Sequence, residues 1–387
     1  MSEVKPPLHL YVVWYSEFAG GQNIANALFT RFKRNVAKPT HRGLGVPVYF
    51  RMINPEMDPP LAINFESARR VAVVFLIDGK AKIDDAWNDY VANIVKNLDN
   101  ASGLCLPVVF DPNVLKYMPS CFSSGNAIKL FEEEEKDRIA QLCFHTTHEL
   151  CRLLSRDLSV PYLPGNTGES VKVFLSHTKR DESEALVEEL RTYLATQTQL
   201  DSFLDVNSIP YGSHFARVIK EQAAQSAFIM VRSDSFCSSY WCQYEILLAK
   251  QFDRPIVVMD ALDAREERTF PYLGNSPVLR YWPEADQNTF FFQLLDRLLL
   301  EVLSTRYRKL EIPYIVRQCG QDPDQYQILT EPPELLTLHH RLKSTGEEEA
   351  SAIVLYPDPP LLQVELQAIQ ACFPKVRFTT PTFLLTQ

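Results

Sequence analysis

Short apolar segments of strand length alternate with segments of helical spacing along most of this chain. In the first half, apolar runs cover residues 8–15, 46–52, 71–77 and 104–110. None approaches the roughly 20 apolar residues that a membrane-spanning helix needs. Because buried strands separated by helices pack into a parallel sheet with both faces covered, this pattern predicts an α/β fold.

The same alternation begins again after a break in the middle of the chain. Residues 161–168 contain two prolines and two glycines, which is typical of a linker. Five further strand-sized runs follow, separated by helical stretches, at residues 171–176, 202–206, 227–231, 255–259 and 278–281. Five strands in about 135 residues predict a sheet of flavodoxin-like size.

These patterns predict how the chain is divided. We expect an α/β domain at residues 1–160, a linker at 161–170 and a second α/β domain at 171–307. Residues 308–350 are richer in Pro, Gln and Glu, so we expect a connector there. The alternation resumes at 351–387 but is too short for a complete domain, so we expect a partial α/β extension.

Composition argues against several classes of function. The chain has 387 residues and a formal charge of −9, whereas neutralising nucleic-acid phosphates needs an excess of Lys and Arg. Nucleic acid is therefore an unlikely partner. Eight cysteines without a CxxC pair are typical of a reducing compartment. The first residues lack a basic stretch followed by an apolar run, so we expect a cytoplasmic protein without a secretory signal or a membrane contact.

Three segments of the second domain carry polar side chains where an open parallel sheet binds ligands. Residues 171–177 form an apolar strand that ends in Ser176 and His177, and ligands bind beyond the carboxyl ends of such strands. Residues 203–212 form a strand and a loop that ends in a Pro-Tyr-Gly turn. Residues 233–245 contain a Ser-rich turn followed by Trp-Cys-x-x-Glu.

The third segment predicts an acid on the same helix face as an aromatic ring. Ser238 or Ser239 can cap the helix, and Trp241 falls in its first turn. Trp241 and Glu245 are four residues apart and therefore share a face. We expect Glu245 to point towards the sheet edge beside an aromatic wall. Taken alone, this segment fits an exposed helix acid next to a core tryptophan better.

Together, in this order and spacing, the three segments resemble the motifs of TIR (Toll/interleukin-1 receptor) domains of the prokaryotic, NAD-cleaving type. The resemblance covers about a third of the chain. It implies a flavodoxin-like TIR domain with a parallel five-stranded sheet. In this family the second segment is the BB loop, which covers the nucleotide pocket and contacts neighbouring TIR domains. The glutamate of the third segment is the catalytic carboxylate of the NAD-cleaving members.

The resemblance implies an NAD+ glycohydrolase that releases nicotinamide and forms ADP-ribose or a cyclic ADP-ribose product. NAD+ is then the substrate, and no cofactor or metal is needed. Glu245 is the expected catalytic residue, because one carboxylate can stabilise the positive charge that develops at the anomeric carbon. The expected substrate contacts come from all three segments: Phe174, Ser176, His177, Asp205, Tyr211, Gly212, Trp241 and Cys242.

The resemblance also implies a role in antiphage or immune signalling, with self-association through the TIR domain. Two other functions stay open at this point. One is a non-enzymatic adaptor that acts through TIR–TIR assembly, and the other is a nucleoside-transferring enzyme on the same fold. No GxGxxG motif follows a predicted strand, which argues against a Rossmann dehydrogenase.

The first domain carries a weaker form of the same pattern. Residues 10–16 resemble the opening strand, and residues 85–91 resemble the tryptophan helix. The residue four positions after Trp87 is Val91, whereas the second domain has Glu245 at the matching position. We therefore expect a TIR-like α/β domain without the catalytic acid, which could receive an activating partner or ligand.

One helical segment contains several potential metal ligands, namely Cys143, His145, His148 and Cys151. These four side chains cannot converge on one point unless the helix breaks, and no second cluster completes a tetrahedral site. We therefore predict no metal site.

Overall fold

The apolar runs of the sequence form two parallel sheets of five strands each. The computed structural model describes residues 4–33, 43–53, 60–79, 85–100, 103–116, 118, 120–122, 126–157, 168–180, 183–204, 215–266, 269–345 and 351–386. The chain divides into two compact units. The first is Met1–Gly168 with Pro313–Gln318, and the second is Glu169–Ile312 with Cys319–Gln387.

The first unit contains the sheet order β2-β1-β3-β4-β5. Its strands are β1 (His9–Tyr15), β2 (Val48–Ile53), β3 (Val71–Ile77), β4 (Leu104–Val109) and β5 (Ile128–Lys129). Its helices are α1 (Gly21–Phe32), α2 (Asp85–Asn100) and α3 (Arg138–Ser155). Every residue of β1 and β3 is buried, as expected for central strands whose two faces are both covered.

The sheet of the second unit has the order β10-β9-β8-β6-β7. Its strands are β6 (Lys172–Ser176), β7 (Asp201–Leu204), β8 (Ala227–Arg232), β9 (Ile256–Asp260) and β10 (Val278–Arg280). Its helices are α4 (Ser183–Gln197), α5 (Phe215–Ala223) and α6 (Tyr240–Gln251). It also contains most of α7 (Gln287–Gln318), whose residues 313–318 belong to the first unit. Counted along the chain within each unit, both sheets have the strand order 2-1-3-4-5 of flavodoxin-like folds. The predicted fold class is confirmed.

One face of the second sheet packs against α5 and α6. Phe174, Phe228 and Val258 from three neighbouring strands form a buried cluster with Ile219 of α5 and Ile246 of α6. This cluster fixes α6 against the sheet, and α6 carries the acid predicted to be catalytic.

A small three-stranded parallel sheet completes the second unit. It contains β11 (Gln327–Ile328), β12 (Ile353–Leu355) and β13 (Arg377–Thr379), in the order β11-β12-β13. Its helices are α8 (Leu335–Thr345), α9 (Gln363–Cys372) and α10 (Pro381–Leu385).

The segment 308–350, predicted as a connector, therefore contains the end of α7 as well as β11 and α8. Its Pro, Gln and Glu residues suggested a linker. Apolar side chains between them nevertheless form a core with the later strands, since Leu329, Leu338 and Leu342 are buried together with Val354. The C-terminal α/β extension thus begins before residue 351. Within the described ranges, no helix combines the length and the apolar character that crossing a bilayer requires.

Candidate functional site at the edge of the second sheet

The site lies at the carboxyl end of β6, one of the inner strands of the second sheet. β6 pairs in parallel with β7 on one side and β8 on the other. Ser176 is the last residue of β6, and its register partner on β8 is Met230. Ser176 is therefore at the sheet edge where open α/β folds bind ligands, and it is fully buried.

Helix α6 begins beside this edge because Ser239 caps it. Ser239 has an extended backbone, and its side chain accepts a hydrogen bond from the backbone N–H of Cys242 at 3.5 Å. Of the two serines that the sequence allowed as caps, the structure selects Ser239. The buried face of the helix then includes Cys242, Glu245 and Ile246.

Glu245 meets Ser176 inside the protein. The Oγ–H of Ser176 donates a hydrogen bond to Oε2 of Glu245 at 2.6 Å, and both residues are 0% exposed. This length lies within the normal range of O–H···O hydrogen bonds. The bond joins the end of β6 to the second turn of α6.

A second contact joins the same two elements. The Sγ–H of Cys242 donates to the backbone oxygen of His177 at 3.2 Å, and both residues are buried. Ser176 and His177 from the sheet edge and Cys242 and Glu245 from the helix thus lie together. These four residues are called the edge site below.

Phe174 lies below the edge site, in the core. It is fully buried and its ring stacks on Phe228, with 4.6 Å between the ring centroids. Both rings belong to the cluster between the sheet and α6. Phe174 therefore supports the edge site from inside.

Trp241 lies one turn before Glu245 on α6 but is far more exposed. Its ring is 40% exposed, and it makes edge contacts with Tyr240 and Tyr244 at centroid distances of 5.6 and 5.9 Å. Two residues that are four apart differ in direction by about 40° around a helix, which is enough to separate a buried from an exposed side chain. Trp241 packs on the tyrosines of its own helix, whereas Glu245 faces inwards.

The three remaining site residues named from the sequence, Asp205, Tyr211 and Gly212, lie outside the described residues. Their predicted contribution to the substrate site stays a prediction.

An ion network that the sequence did not predict lies at the ends of β8 and β9. Arg232 donates to Glu266 at 2.8 Å, and Arg280 lies 3.2 Å from Asp260. Burial opposes ionisation of Glu266, but hydrogen bonds from Arg232 and Cys237 hold the pKa of this carboxyl below its ordinary value. A loop acid thus becomes a buried ion-pair partner, which a charge pattern alone does not reveal.

The Cys237 thiol is the neutral member of this network. Its Sγ–H donates to Oε1 of Glu266 at 3.2 Å. Burial, and then the hydrogen bond to Glu266, raise the pKa of the thiol to about 11, so it stays protonated near neutral pH. The network holds the loop after β9 against the Ser-rich turn that leads into α6.

The predicted helix with potential metal ligands forms as α3, in which Cys143, His148 and Cys151 are buried. Across the parts of the chain that the structure describes, no group of three or more His, Cys, Asp or Glu residues is arranged to hold a metal ion.

Comparison with known proteins identifies the family of the second unit. Its sheet order defines a flavodoxin-like α/β domain, and residues 173–289 match the family model described as TIR domain. Residues 173–289 therefore form a TIR domain, as predicted, and this domain contains the edge site.

A search of solved structures matches the TIR domains in "Structure of the activated Roq1 resistosome directly recognizing the pathogen effector XopQ". Identity is 17%, the match covers 35% of this chain and 84% of that chain, and the TM-score is 0.22. No curated protein matches the chain.

Proposed function

We propose that the TIR domain cleaves the bond between nicotinamide and ribose in NAD+, with Glu245 as the catalytic carboxylate. The observation that supports this most directly is the buried pair of Ser176 and Glu245 at the carboxyl edge of a parallel sheet. A carboxylate held away from water interacts strongly with positive charge.

The reaction needs one group that stabilises positive charge. The bond from the ribose C1′ to the nicotinamide nitrogen breaks, its electron pair stays on that nitrogen, and neutral nicotinamide leaves. The carboxylate of Glu245 stabilises the cationic C1′. A water oxygen then bonds to C1′ and loses its proton, which gives ADP-ribose. If a ring nitrogen of the adenine bonds to C1′ instead, the product is cyclic.

The other residues of the edge site have supporting roles in this proposal. Ser176 is a positioning residue, because its hydrogen bond fixes one oxygen of Glu245. His177 and Cys242 would line the ribose end of the substrate. Asp205, Tyr211 and Gly212, which follow β7 in the sequence, would cover the nucleotide, and Trp241 would border the entrance.

Complete burial of Glu245 has a consequence for activation. A carboxylate that is 0% exposed cannot touch a substrate until its surroundings rearrange. Self-association of the TIR domain would supply such a rearrangement, so we expect nicotinamide release to increase steeply with protein concentration.

The proposal is tested by incubating the full chain with NAD+ at increasing protein concentration and measuring nicotinamide and ADP-ribose products. The wild-type chain is compared with Glu245→Gln, which keeps the size of the side chain and removes its charge. We expect the rate to fall by at least about a hundredfold, which corresponds to roughly 3 kcal/mol of transition-state stabilisation.

Glu188→Gln is the matched control, since its carboxylate is 47% exposed on α4 and pairs with Arg191. It should keep the wild-type rate. Equal rates for the wild-type chain and Glu245→Gln would contradict the catalytic role, and so would a complete absence of nicotinamide release from the assembled protein.

The alternative is a non-enzymatic adaptor that acts through TIR–TIR assembly. The observation that favours it is an aromatic surface on α6, where Tyr240 is 70% and Trp241 40% exposed while Glu245 is inaccessible. An adaptor would assemble without releasing nicotinamide. Assembly that depends on Trp241 together with NAD+ that stays intact would support this alternative.

A role in immune or antiphage signalling and a regulatory first unit belong to the same proposal. Helices α2 and α6 each follow the third strand of their unit, and Val91 is buried in α2 as Glu245 is in α6. In the first unit the end of β1 meets α2 through an edge contact of Tyr15 with Trp87 at 6.0 Å. The first unit thus has an aromatic pair where the second has an acid. This supports a first unit that receives a signal and a second unit that catalyses the reaction.

A further inference from the structure

A pocket in the first unit lies between helix α2 and the segment that leads into β3. Residues 62–66 form one wall, and the other wall is formed by Tyr90, Asn93, Ile94 and Asn97 of α2. We call it the α2 pocket. Its volume is about 470 Å³. Small-molecule sites occupy roughly 300–1,000 Å³, so this pocket has room for a molecule of nucleoside size.

The wall from α2 is a single helix face. Its four residues are separated by three, one and three positions, which is the spacing of neighbours on one side of a helix. Ile94 is buried and belongs to the core of the first unit, whereas Asn93 is exposed and Asn97 partly exposed. This wall therefore has an apolar base and two carboxamides at the surface.

The opposite wall is fastened to its neighbours at both ends. The backbone oxygen of Leu61 accepts hydrogen bonds from Nε of Arg51 at 2.7 Å and from the hydroxyl of Tyr90 at 3.2 Å. After the wall, the hydroxyl of Ser67 donates to the backbone oxygen of Asn64 at 2.6 Å. The pocket is therefore preformed, which lowers the entropic cost of binding a ligand.

Three carboxamides of the pocket have hydrogen-bonding capacity to offer a ligand. Nδ2 of Asn97 donates to the backbone oxygen and to Oδ1 of Asn93, at 2.8 and 3.1 Å. Oδ1 of Asn64 accepts from the backbone N–H of Glu66 at 2.9 Å. Within the described ranges, these bonds orient the side chains and leave two Nδ2 donors, on Asn64 and Asn93, and one Oδ1 acceptor, on Asn97, for a ligand.

The lining of the pocket carries little charge. Glu66 provides the one carboxylate among the described lining residues, and this carboxylate is 83% exposed and pairs with Lys5. None of the described lining residues is Lys or Arg. A phosphate would gain no charge-assisted hydrogen bond from a cation of this lining, so the pocket favours an uncharged molecule.

Two aromatic rings complete the pocket. Phe65 and Tyr90 are both half-buried and pack against the core of the first unit. Their positions are therefore fixed from inside, and both rings also line the pocket. Aromatic side chains of this kind provide surfaces on which a flat heterocyclic ring can stack.

We infer that the α2 pocket binds an uncharged purine nucleoside, such as adenosine, through its base. The edges of adenine place one donor, the N6 amino group, beside ring nitrogens that accept hydrogen bonds. Nδ2 of Asn64 and of Asn93 would donate to the ring nitrogens, and Oδ1 of Asn97 would accept from the amino group. Phe65 and Tyr90 would stack on the ring.

Such a ligand would be the signal that the first unit receives, and this consequence alone rests on the proposed function. Binding itself involves no residue of the TIR domain, because every lining residue belongs to the first unit. Glu245→Gln should therefore bind adenosine like the wild type even though it should lose nicotinamide release. Failure of the α2 pocket and failure of the proposed catalysis thus give different results.

The inference is tested by isothermal titration calorimetry of the full chain with adenosine. The wild-type chain is compared with the double variant Asn93→Ala/Asn97→Ala, which removes two carboxamides from the pocket. We expect its affinity to be lower by at least about tenfold. Ala favours a helix more than Asn does, so the melting temperature of this variant should not fall.

Asn64→Asp is a second variant that keeps the local fold. Its carboxylate can still accept the hydrogen bond from the N–H of Glu66, but the Nδ2 donor becomes an acceptor. We expect this variant to bind adenosine more weakly by at least about threefold.

Gln22→Ala/Asn26→Ala is the matched control, because Nε2 of Gln22 donates to Oδ1 of Asn26 at 3.1 Å on the exposed face of α1. This pair has the same spacing along a helix as Asn93 and Asn97. The control should bind adenosine like the wild type. Undetectable binding to the wild type, or equal affinities for the wild type and Asn93→Ala/Asn97→Ala, would overturn the inference.

Two further titrations test the chemical class of the ligand. AMP has the same base and adds a phosphate, so we expect it to bind at least about threefold more weakly than adenosine, because the one charge of the lining is negative. Ribose lacks the base and should not bind detectably. AMP or ribose that binds as tightly as adenosine would contradict recognition of an uncharged nucleoside through its base.

Discussion

The hydrogen bond between Ser176 and Glu245 links two elements of a buried site. Ser176 ends β6, Glu245 belongs to α6, and neither residue is accessible to solvent. A carboxylate oxygen inside a protein needs a donor, and Ser176 provides one at 2.6 Å. The pair therefore contributes to stability as well as to the proposed chemistry.

Replacing Ser176 by Ala should leave Oε2 of Glu245 without this donor. We expect the free energy of unfolding to fall by about 1–3 kcal/mol, because the desolvation cost of the oxygen remains while its hydrogen bond is lost. Urea denaturation of Ser176→Ala, Glu245→Ala and the double variant measures the coupling between the two side chains. We expect a coupling of about 1–2 kcal/mol.

Ser170→Ala is the control for this cycle. Its hydroxyl donates to the backbone oxygen of Gln199, six residues before Ser176 and about 20 Å away along an extended chain. Its effect should add to that of Glu245→Ala. A Ser176–Glu245 coupling as small as that of the control would contradict the importance of the bond.

The sequence located these residues but could not define their surroundings. The Trp-Cys-x-x-Glu motif identified Glu245 as a site residue. Helical periodicity predicted that Trp241 shares a helix face with Glu245. Full burial of Glu245 and exposure of Trp241 depend on how α6 packs against the sheet, which side-chain spacing alone does not specify.

At the scale of elements, the start of α6 controls the orientation of the edge site. The Ser239 cap sets where the helix begins, and the first turn then presents Cys242 to the backbone oxygen of His177. The buried face of the same helix continues to Glu245.

Removing the cap should destabilise the TIR domain. Ser239→Ala loses the side-chain acceptor for the N–H of Cys242, and we expect a loss of about 0.5–1 kcal/mol in the free energy of unfolding. Ser238→Ala is the matched control, because Ser238 is exposed and its hydroxyl donates to the backbone of Ser235.

The control should change stability by less than about 0.5 kcal/mol. Chemical denaturation of both variants gives the comparison. A larger loss for Ser238→Ala than for Ser239→Ala would mean that the sequence's other candidate is the effective cap.

At the scale of the whole molecule, the sequence predicted the two large sheets better than the small one. Runs such as residues 71–77 are apolar at every position. A short segment that is apolar throughout is typical of a buried parallel strand. The strands of the C-terminal sheet have two or three residues each, and β11 is far from β12 in sequence. Its core comes from scattered leucines, so composition suggested a connector.

Gly168, which ends the segment Met1–Gly168 of the first unit, has a conformation and a close contact that favour glycine. Gly168 has a φ of +84°, and a Cβ there would lie 2.1 Å from the backbone oxygen of Arg152. That oxygen belongs to α3 and cannot move aside as a flexible side chain would. We expect Gly168→Ala to cost about 3 kcal/mol or more, through both the left-handed backbone and the collision.

Gly320→Ala separates the two contributions. Gly320 has a φ of +72°, but a Cβ there meets nothing within 4 Å, so its substitution should cost only about 1–2 kcal/mol. Denaturant unfolding of the two variants measures the difference. Equal losses would show that the collision with Arg152 contributes nothing.

The discontinuity of the first unit has a consequence for biosynthesis. Residues Pro313–Gln318, at the end of α7, cluster with Met1–Gly168. Since a ribosome releases the chain from its amino end, the first unit can acquire its last contacts only after the TIR domain has emerged. The two units therefore mature in an interleaved order during translation, and a fragment that stops at residue 168 would lack residues 313–318 of its own unit.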